Sequence, residues 1–222
     1  MDYNWDGTAF VTAGKDLVIR YYDENKKSVV RELGTGAEVA GHSNRIFATK
    51  FNPNEPNMLL SGGWSNCIIL YDVRQESPVA SMLGPHMCGE ALDVDGHNVL
   101  AGSYSIKENL TTWDLRTRKR IEVIDWFDQG FEKDEDIDQS LIYSATYSWN
   151  RDFILAGGTS KNELRVFSNT KGEPGHSCVA AITDMSRAVM SIDYANEKDI
   201  FAFGCSDGYL WVMGIQDVNE EE

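Results

Sequence analysis

Residues 204–208 read GCSDG, the G-x-S-x-G pattern on which serine hydrolases raise a nucleophilic hydroxyl at a sharp strand-to-helix turn. Such a turn would make Ser206 an acyl-transfer nucleophile, provided that a helix follows and that a carboxylate and then a histidine come later in the chain. The next residues, YLWVMGI, are aromatic and branched and predict a strand. The last histidine is His176, ahead of Ser206. The hydroxyl therefore has no base, and the five residues need another explanation.

Other residues with chemical potential are equally isolated. GPHMC places His86 near Cys88, a spacing able to hold one edge of a zinc ion, but no second pair at ligand spacing completes it. Cys67, Cys88, Cys178 and Cys205 are far apart, and Cys67 and Cys205 fall in strand-like runs where a free thiol acts as a small core residue. They predict a reducing compartment, and the expected location is cytoplasmic, with a cytoskeletal, ciliary or nuclear pool also compatible. Asn109 in NLT matches a glycosylation sequon, which has meaning only in a secreted chain. The sequence thus predicts no enzyme, no metal and no cofactor.

The 222 residues suffice for one domain with a substantial core. A net charge of -15 repels phosphate backbones and anionic lipid, which argues against nucleic acid or membrane as direct partners and favours basic protein surfaces. MDYNWDG at the start has no signal-peptide character, and no apolar run approaches a membrane span.

Internal repetition explains GCSDG. TAGKDLVIRYYD, SGGWSNCIILYD, AGSYSIKENLTTWD, AGGTSKNELRVFS and FGCSDGYLWVMG each place small residues, a polar turn and then a strand in the same order. Ser206 is one turn residue among five. Strands precede four of these hairpins (IFATKFNP, EALDVDG, LIYSATYS, AVMSIDYA) and short strands follow the first four (SVVREL, PVASML, KRIEVI, HSCVAAI). Units of four antiparallel strands recurring about every 40 to 55 residues predict the blades of an all-β propeller.

On these residues the chain resembles the WD-repeat (WD40) β-propeller family over essentially its whole length, in divergent form. Trp113-Asp114 is the family dipeptide, Tyr71-Asp72 and Tyr22-Asp23 are its variants, and Gly41-His42 matches the GH before a blade. The resemblance implies a structural hydrogen-bonded network of His, Ser or Thr, Asp and Trp within a blade. The second unit offers His42, Ser61 and Tyr71 with Ser65 where the Asp belongs; the first offers Thr12, Asp16 and Tyr22 without a His; the last has Asp207 but Met213 in place of the aromatic.

The expected organisation is a single propeller domain over 1–222, with blades at 1–35 (partial), 42–84, 88–124, 140–182 and 187–216 (lacking its outer strand), an acidic inter-blade loop at 125–140 and an acidic tail at 217–222. Propellers of this family close with their N-terminal strand, whereas Met1-Asp2-Tyr3 aligns with Ile192-Asp193-Tyr194 in the middle of a first strand. About four and two-thirds blades are expected, as the C-terminal part of a seven-bladed ring whose missing part would occupy on the order of 100 residues upstream. The alternative is a short chain whose ring is completed by another chain.

A propeller without catalytic groups is a binding platform. Trp64 and Tyr104 occupy turn positions held elsewhere by Lys15, Thr159 and Ser206, and large aromatics in exposed turns have hot-spot character. The alternative reading is packing over the adjacent blade. The loop DWFDQGFEKDEDIDQS sets Trp126, Phe127 and Phe131 among acids that include Asp134, Glu135 and Asp136. It reads either as a solvated charge run or as a clamp for a basic peptide or protein. A second function class rests on YDVR and WDLR, which resemble the WDxR motif of receptors that dock on the cullin-4 ubiquitin-ligase adaptor; the resemblance would make Arg74 and Arg116 the docking residues.

Overall fold

The computed structural model describes residues 1–34, 41–127, 140–170 and 174–215. These form five antiparallel sheets. The first contains β1 (Asp2–Tyr3), β2 (Ala9–Thr12), β3 (Ile19–Asp23) and β4 (Ser28–Leu33). The second contains β5 (Ile46–Phe51), β6 (Met58–Gly63), β7 (Cys67–Asp72) and β8 (Ala80–Leu83). The third contains β9 (Leu92–Asp95), β10 (Asn98–Gly102), β11 (Leu110–Asp114) and β12 (Lys119–Val123). The fourth contains β13 (Leu141–Tyr147), β14 (Phe153–Thr159), β15 (Leu164–Ser168) and β16 (Cys178–Ile182). The fifth has three strands, β17 (Val189–Tyr194), β18 (Ile200–Cys205) and β19 (Leu210–Gly214).

Within each sheet every strand pairs with its sequence neighbour, so short turns suffice and no crossover is needed. The core lies between consecutive sheets rather than inside any one of them. Leu59 of β6 packs back toward Val11, Ile19 and Leu33 of the first sheet, while the adjacent Leu60 packs forward against Met87 of the following link and Val94 and Val99 of the third sheet. β10 does the same with Val99 and Leu100, and β14 with Ile154 and Leu155. Successive side chains of a strand point to opposite faces, so a sheet covered on both sides needs apolar residues at consecutive positions. That is why MLLSGG, NVLAG and FILAGG show no alternation.

The two terminal sheets each keep one uncovered face. On the first, Tyr3, Phe10 and Tyr22 stack in a ladder, with Phe10 and Tyr22 parallel at 4.7 Å between ring centres. On the fifth, Leu210 and Val212 of β19 are exposed, and the outer edge of β19 pairs with no described strand.

Three inner strands carry a bulge at their start, where the pairing register shifts between Ile46 and Ala48, between Ile142 and Ser144, and between Val189 and Ser191. A bulge bends its strand and re-aims the extra residue. Glycine permits the close approach opposite two of them. A Cβ on Gly63 would stand 2.1 Å from the Arg45 carbonyl oxygen, and one on Gly158 would stand 1.9 Å from that of Leu141.

Candidate functional site

Because neighbouring strands are antiparallel, the hairpins between second and third strands share one end of the molecule with the links between sheets. The remaining turns share the other end.

At the hairpin end, His42 anchors the link that enters the second sheet. Its Nε2 lies 2.6 Å from Ser61 Oγ, and its Nδ1 meets Ser65 Oγ. Burial pushes the imidazole pKa down to about 4, so the ring is neutral at physiological pH and pairs with hydroxyls rather than with a carboxylate. Ser65, at the position where the resemblance implies an Asp, thus supplies the second hydroxyl partner of the ring. Ser65 Oγ also lies 3.1 Å from Cys67 Sγ. Tyr71 is buried beneath this group, and burial pushes its hydroxyl up to about 12.

Trp64 stands at the tip of the β6–β7 hairpin, held by its N–H donating to the Arg45 carbonyl at 3.0 Å. Its ring packs on Phe47 at 5.3 Å, lies parallel to His86 at 6.0 Å and carries the Arg45 guanidinium at 5.9 Å. Its indole N–H donates to Cys88 Sγ at 3.1 Å. His86 and Cys88 thus serve the tryptophan; the second partner of His86 is Asn66, at 2.7 Å. One sheet along, Tyr104 packs on Tyr143 at 5.2 Å. Trp64 and Tyr104 are packed against neighbours and still 39% and 36% exposed, which joins the two sequence readings. Phe47 and Tyr143 are the bulge residues of β5 and β13. Sequence patterning does not single them out, because a bulge breaks the period of two by which strand faces are assigned.

The expectation that Trp126 is a surface anchor requires correction. It is fully buried between the third and fourth sheets, packs on Phe167 at 5.6 Å, and donates its indole N–H to Glu163, itself paired with Arg165 at 3.0 Å. Phe127 is half-buried against the same cluster, beneath the Arg165 guanidinium at 5.1 Å. A tryptophan needs both a large apolar surface and an acceptor, and the inter-sheet seam supplies them. Phe131, Asp134, Glu135 and Asp136 lie outside the described residues.

The remaining expected structural residues serve turns and edges. Trp113 donates to Thr111 Oγ1 at 2.9 Å, and Asp16 pairs with Arg20. Thr12 sits opposite Arg20 and Phe10 opposite Tyr22 in the register of β2 and β3. GCSDG is the β18–β19 hairpin: Ser206 N–H donates to the Ala188 carbonyl at 2.9 Å, Asp207 accepts from Ser186 Oγ at 2.8 Å, and Gly208 takes φ +89°. A strand follows the turn where an elbow needs a helix. Met213 lies opposite Phe201. Asn109 of the sequon is buried, its side-chain amide donating to the Ser140 carbonyl at 2.9 Å. All four cysteines are free, and no helix among the described residues is long and apolar enough to cross a membrane.

At the opposite end, Asp72 and Asp114 each close a turn by accepting the backbone N–H two residues ahead, at 2.9 Å in both cases. Each also holds the side chain of that residue, Arg74 at 2.6 Å and Arg116 at 3.3 Å. The Arg74 guanidinium keeps the Asp72 carboxyl below the usual carboxylate range. Both arginines are about two-thirds exposed and similarly presented on consecutive sheets.

Residues 34–72 match the family described as WD domain, G-beta repeat. The fold resembles a chain in a structure titled Crystal Structure of Mitotic Checkpoint Complex, with TM-score 0.76 and 17% identity over 95% of this chain and 62% of that one. The fold is a WD40-type β-propeller. Its sheets are blades, and the His42–Ser61–Ser65 group lies within the matched repeat. Among curated proteins it is similar to Protein SOF1 of Saccharomyces cerevisiae, 26% identical over 95% of this chain and 39% of that protein. It is also similar to DDB1- and CUL4-associated factor 13 of Gallus gallus, 31% identical over 37% of this chain and 17% of that protein, and to Pre-mRNA-processing factor 19 of Oryza sativa, 21% identical over 92% of this chain and 36% of that protein. The propeller therefore spans well under half the length of these relatives.

Proposed function

We propose that this propeller is a non-catalytic interaction scaffold that binds a protein partner on its hairpin end, within a larger assembly. The observation that carries the reading is the row of aromatics across three blades, Phe47, Trp64, His86, Tyr104 and Tyr143, with Arg45 stacked on it. Rigid, half-exposed aromatic rings lose little conformational entropy on binding. The acids at 132–138, with Phe131, would add a rim for a basic partner. Free cysteines fit a reducing compartment, cytoplasmic or nuclear. A fourth strand on the β19 edge, from further blades or from another chain, would complete the fifth sheet.

The test begins with purification of the endogenous protein under mild salt and identification of stoichiometric companions by mass spectrometry. Against the companion so found, Trp64→Ala and Tyr104→Ala are expected to weaken binding by about tenfold or more each, with melting lowered by no more than a few degrees. Charge reversal at 132–138 should slow association and flatten its salt dependence. Unchanged affinity in both aromatic variants would remove the hairpin end as the binding face.

The matched presentation of Arg74 and Arg116 favours a second reading, a substrate receptor of a cullin-4 type ligase. The printed name of the factor 13 relative belongs to that class. On this reading the companion is the ligase adaptor, and Arg74→Ala with Arg116→Ala reduces its binding by about 30-fold or more while leaving the Trp64 interaction intact. Retention of adaptor by the double variant would discard it.

A further inference from the structure

The turn end opposite Trp64 holds a second concave site. The five inner strands all contribute to one cavity, and matching positions on them carry Asp2, Lys50, Asp93, Thr146 and Asp193. Two of the three aspartates are committed to the neighbouring blade. Asp2 accepts the Phe51 N–H at 2.7 Å. Asp93 accepts the Tyr147 N–H and the Thr146 hydroxyl, each at 2.9 Å, and faces Lys50 at 3.6 Å and Arg151 at 3.7 Å. Asp193 differs. Among the described residues its hydrogen bond is to the N–H of the adjacent Tyr194, at 2.9 Å, and its carboxylate stands exposed in the cavity.

Around this floor the turns supply aromatic walls. Trp5 and Trp149 stand at equivalent places in the β1–β2 and β13–β14 turns and line the same cavity of about 450 Å³. They are 69% and 51% exposed, so most of one indole and half of the other stay open to solvent. The charged side chains lining the cavity are Asp2, Asp93 and Asp193 against Lys50 and Arg151, the last of which also reaches Asp95. Acids outnumber bases in this lining, and Asp193, which Lys50 attracts only at longer range, makes no ion pair among the described residues. The cavity already accommodates one guanidinium, since Arg151 lies over the Tyr147 ring at 5.5 Å while facing Asp93 and Asp95.

We propose that this cavity binds a cationic side chain, arginine or lysine, presented by a peptide partner. Its charge meets Asp193, and its apolar stem and cation face rest on Trp5 and Trp149. The site lies at the other end of the propeller from Trp64 and does not depend on the reading given to that cluster.

The test is an NMR titration of the full chain, following the indole N–H signals of Trp5 and Trp149. The probes are acetyl-Gly-Gly-Arg-Gly-Gly-amide and its citrulline counterpart, which has nearly the same shape without the charge. The expected result is a saturable shift of both indoles with the arginine peptide, at least tenfold weaker with the citrulline peptide, with Asp193→Asn or with Trp149→Ala. Both substitutions are at exposed positions, and an unchanged circular-dichroism melt confirms that each variant is folded; Trp5→Ala replaces either one that is not. An equal response to citrulline, a response indifferent to Asp193→Asn, or no saturation with either peptide overturns the proposal.

Discussion

Glu163→Ala is expected to destabilise the protein by about 3–5 kcal/mol, because it breaks a buried ion pair by removing one partner. Glu163 and Arg165 are both 3% exposed. One carboxylate oxygen of Glu163 accepts the Trp126 indole N–H and the Ser140 hydroxyl at 2.9 Å; the other accepts Arg165 Nε at 3.1 Å and Nη2 at 3.0 Å. Arg165 in turn donates to the Trp126 carbonyl at 2.7 Å. The alanine strips the guanidinium of its carboxylate and leaves the indole and hydroxyl donors without their acceptor, inside the seam between the third and fourth blades. Urea unfolding measures the loss. The double variant Glu163→Met, Arg165→Met should recover a large part of it, since apolar residues of similar volume need no partner. A double variant as unstable as the single would show that packing, rather than the lost ion pair, sets the cost.

Gly158→Ala is expected to cost about 3 kcal/mol, at the upper end for overpacking, because the atoms in the way cannot move aside. The added Cβ would lie 1.9 Å from the Leu141 carbonyl oxygen, 2.7 Å from the carbonyl carbon and 3.0 Å from Ile142 Cα, all backbone of the paired strand. Relief requires β13 to shift at its bulge, which carries Tyr143 away from Tyr104. The variant should therefore lose both thermal stability and partner binding on the hairpin end, whereas Gly14→Ala, with nothing within 4 Å of the new Cβ, should melt within a few degrees of the parent. Equal melting temperatures for the two alanine variants would contradict this account.

How much of this is legible in the sequence varies with the range of the interaction. The GCSDG turn is readable because a strand pattern follows it within the same ten residues. Consecutive apolar pairs such as Leu59-Leu60 and Ile154-Leu155 announce sheets covered on both faces, since side-chain alternation is a local property of any strand. The network around His42 is half readable. The missing Asp suggests that it is broken, while the structure shows Ser65 reaching Nδ1, a substitution that works because the buried imidazole is neutral.

Sequence by itself determined the architecture of this protein: a repeated four-strand unit, its hairpins, its all-β class and the turns that present Trp64, Tyr104, Arg74 and Arg116. Tertiary structure alone decided which aromatics remain available to a partner. Trp64 and Trp126 are both tryptophans beside polar residues in predicted loops, yet one meets solvent and the other meets Glu163, contributed by a segment 37 residues away. Strand periodicity and turn chemistry act between near neighbours along the chain, whereas burial depends on which distant segments close over a side chain. The same reason kept Phe47 and Tyr143 out of sight, and it left the contrast between Asp93 and Asp193 to appear only once the inner strands stood side by side around one cavity.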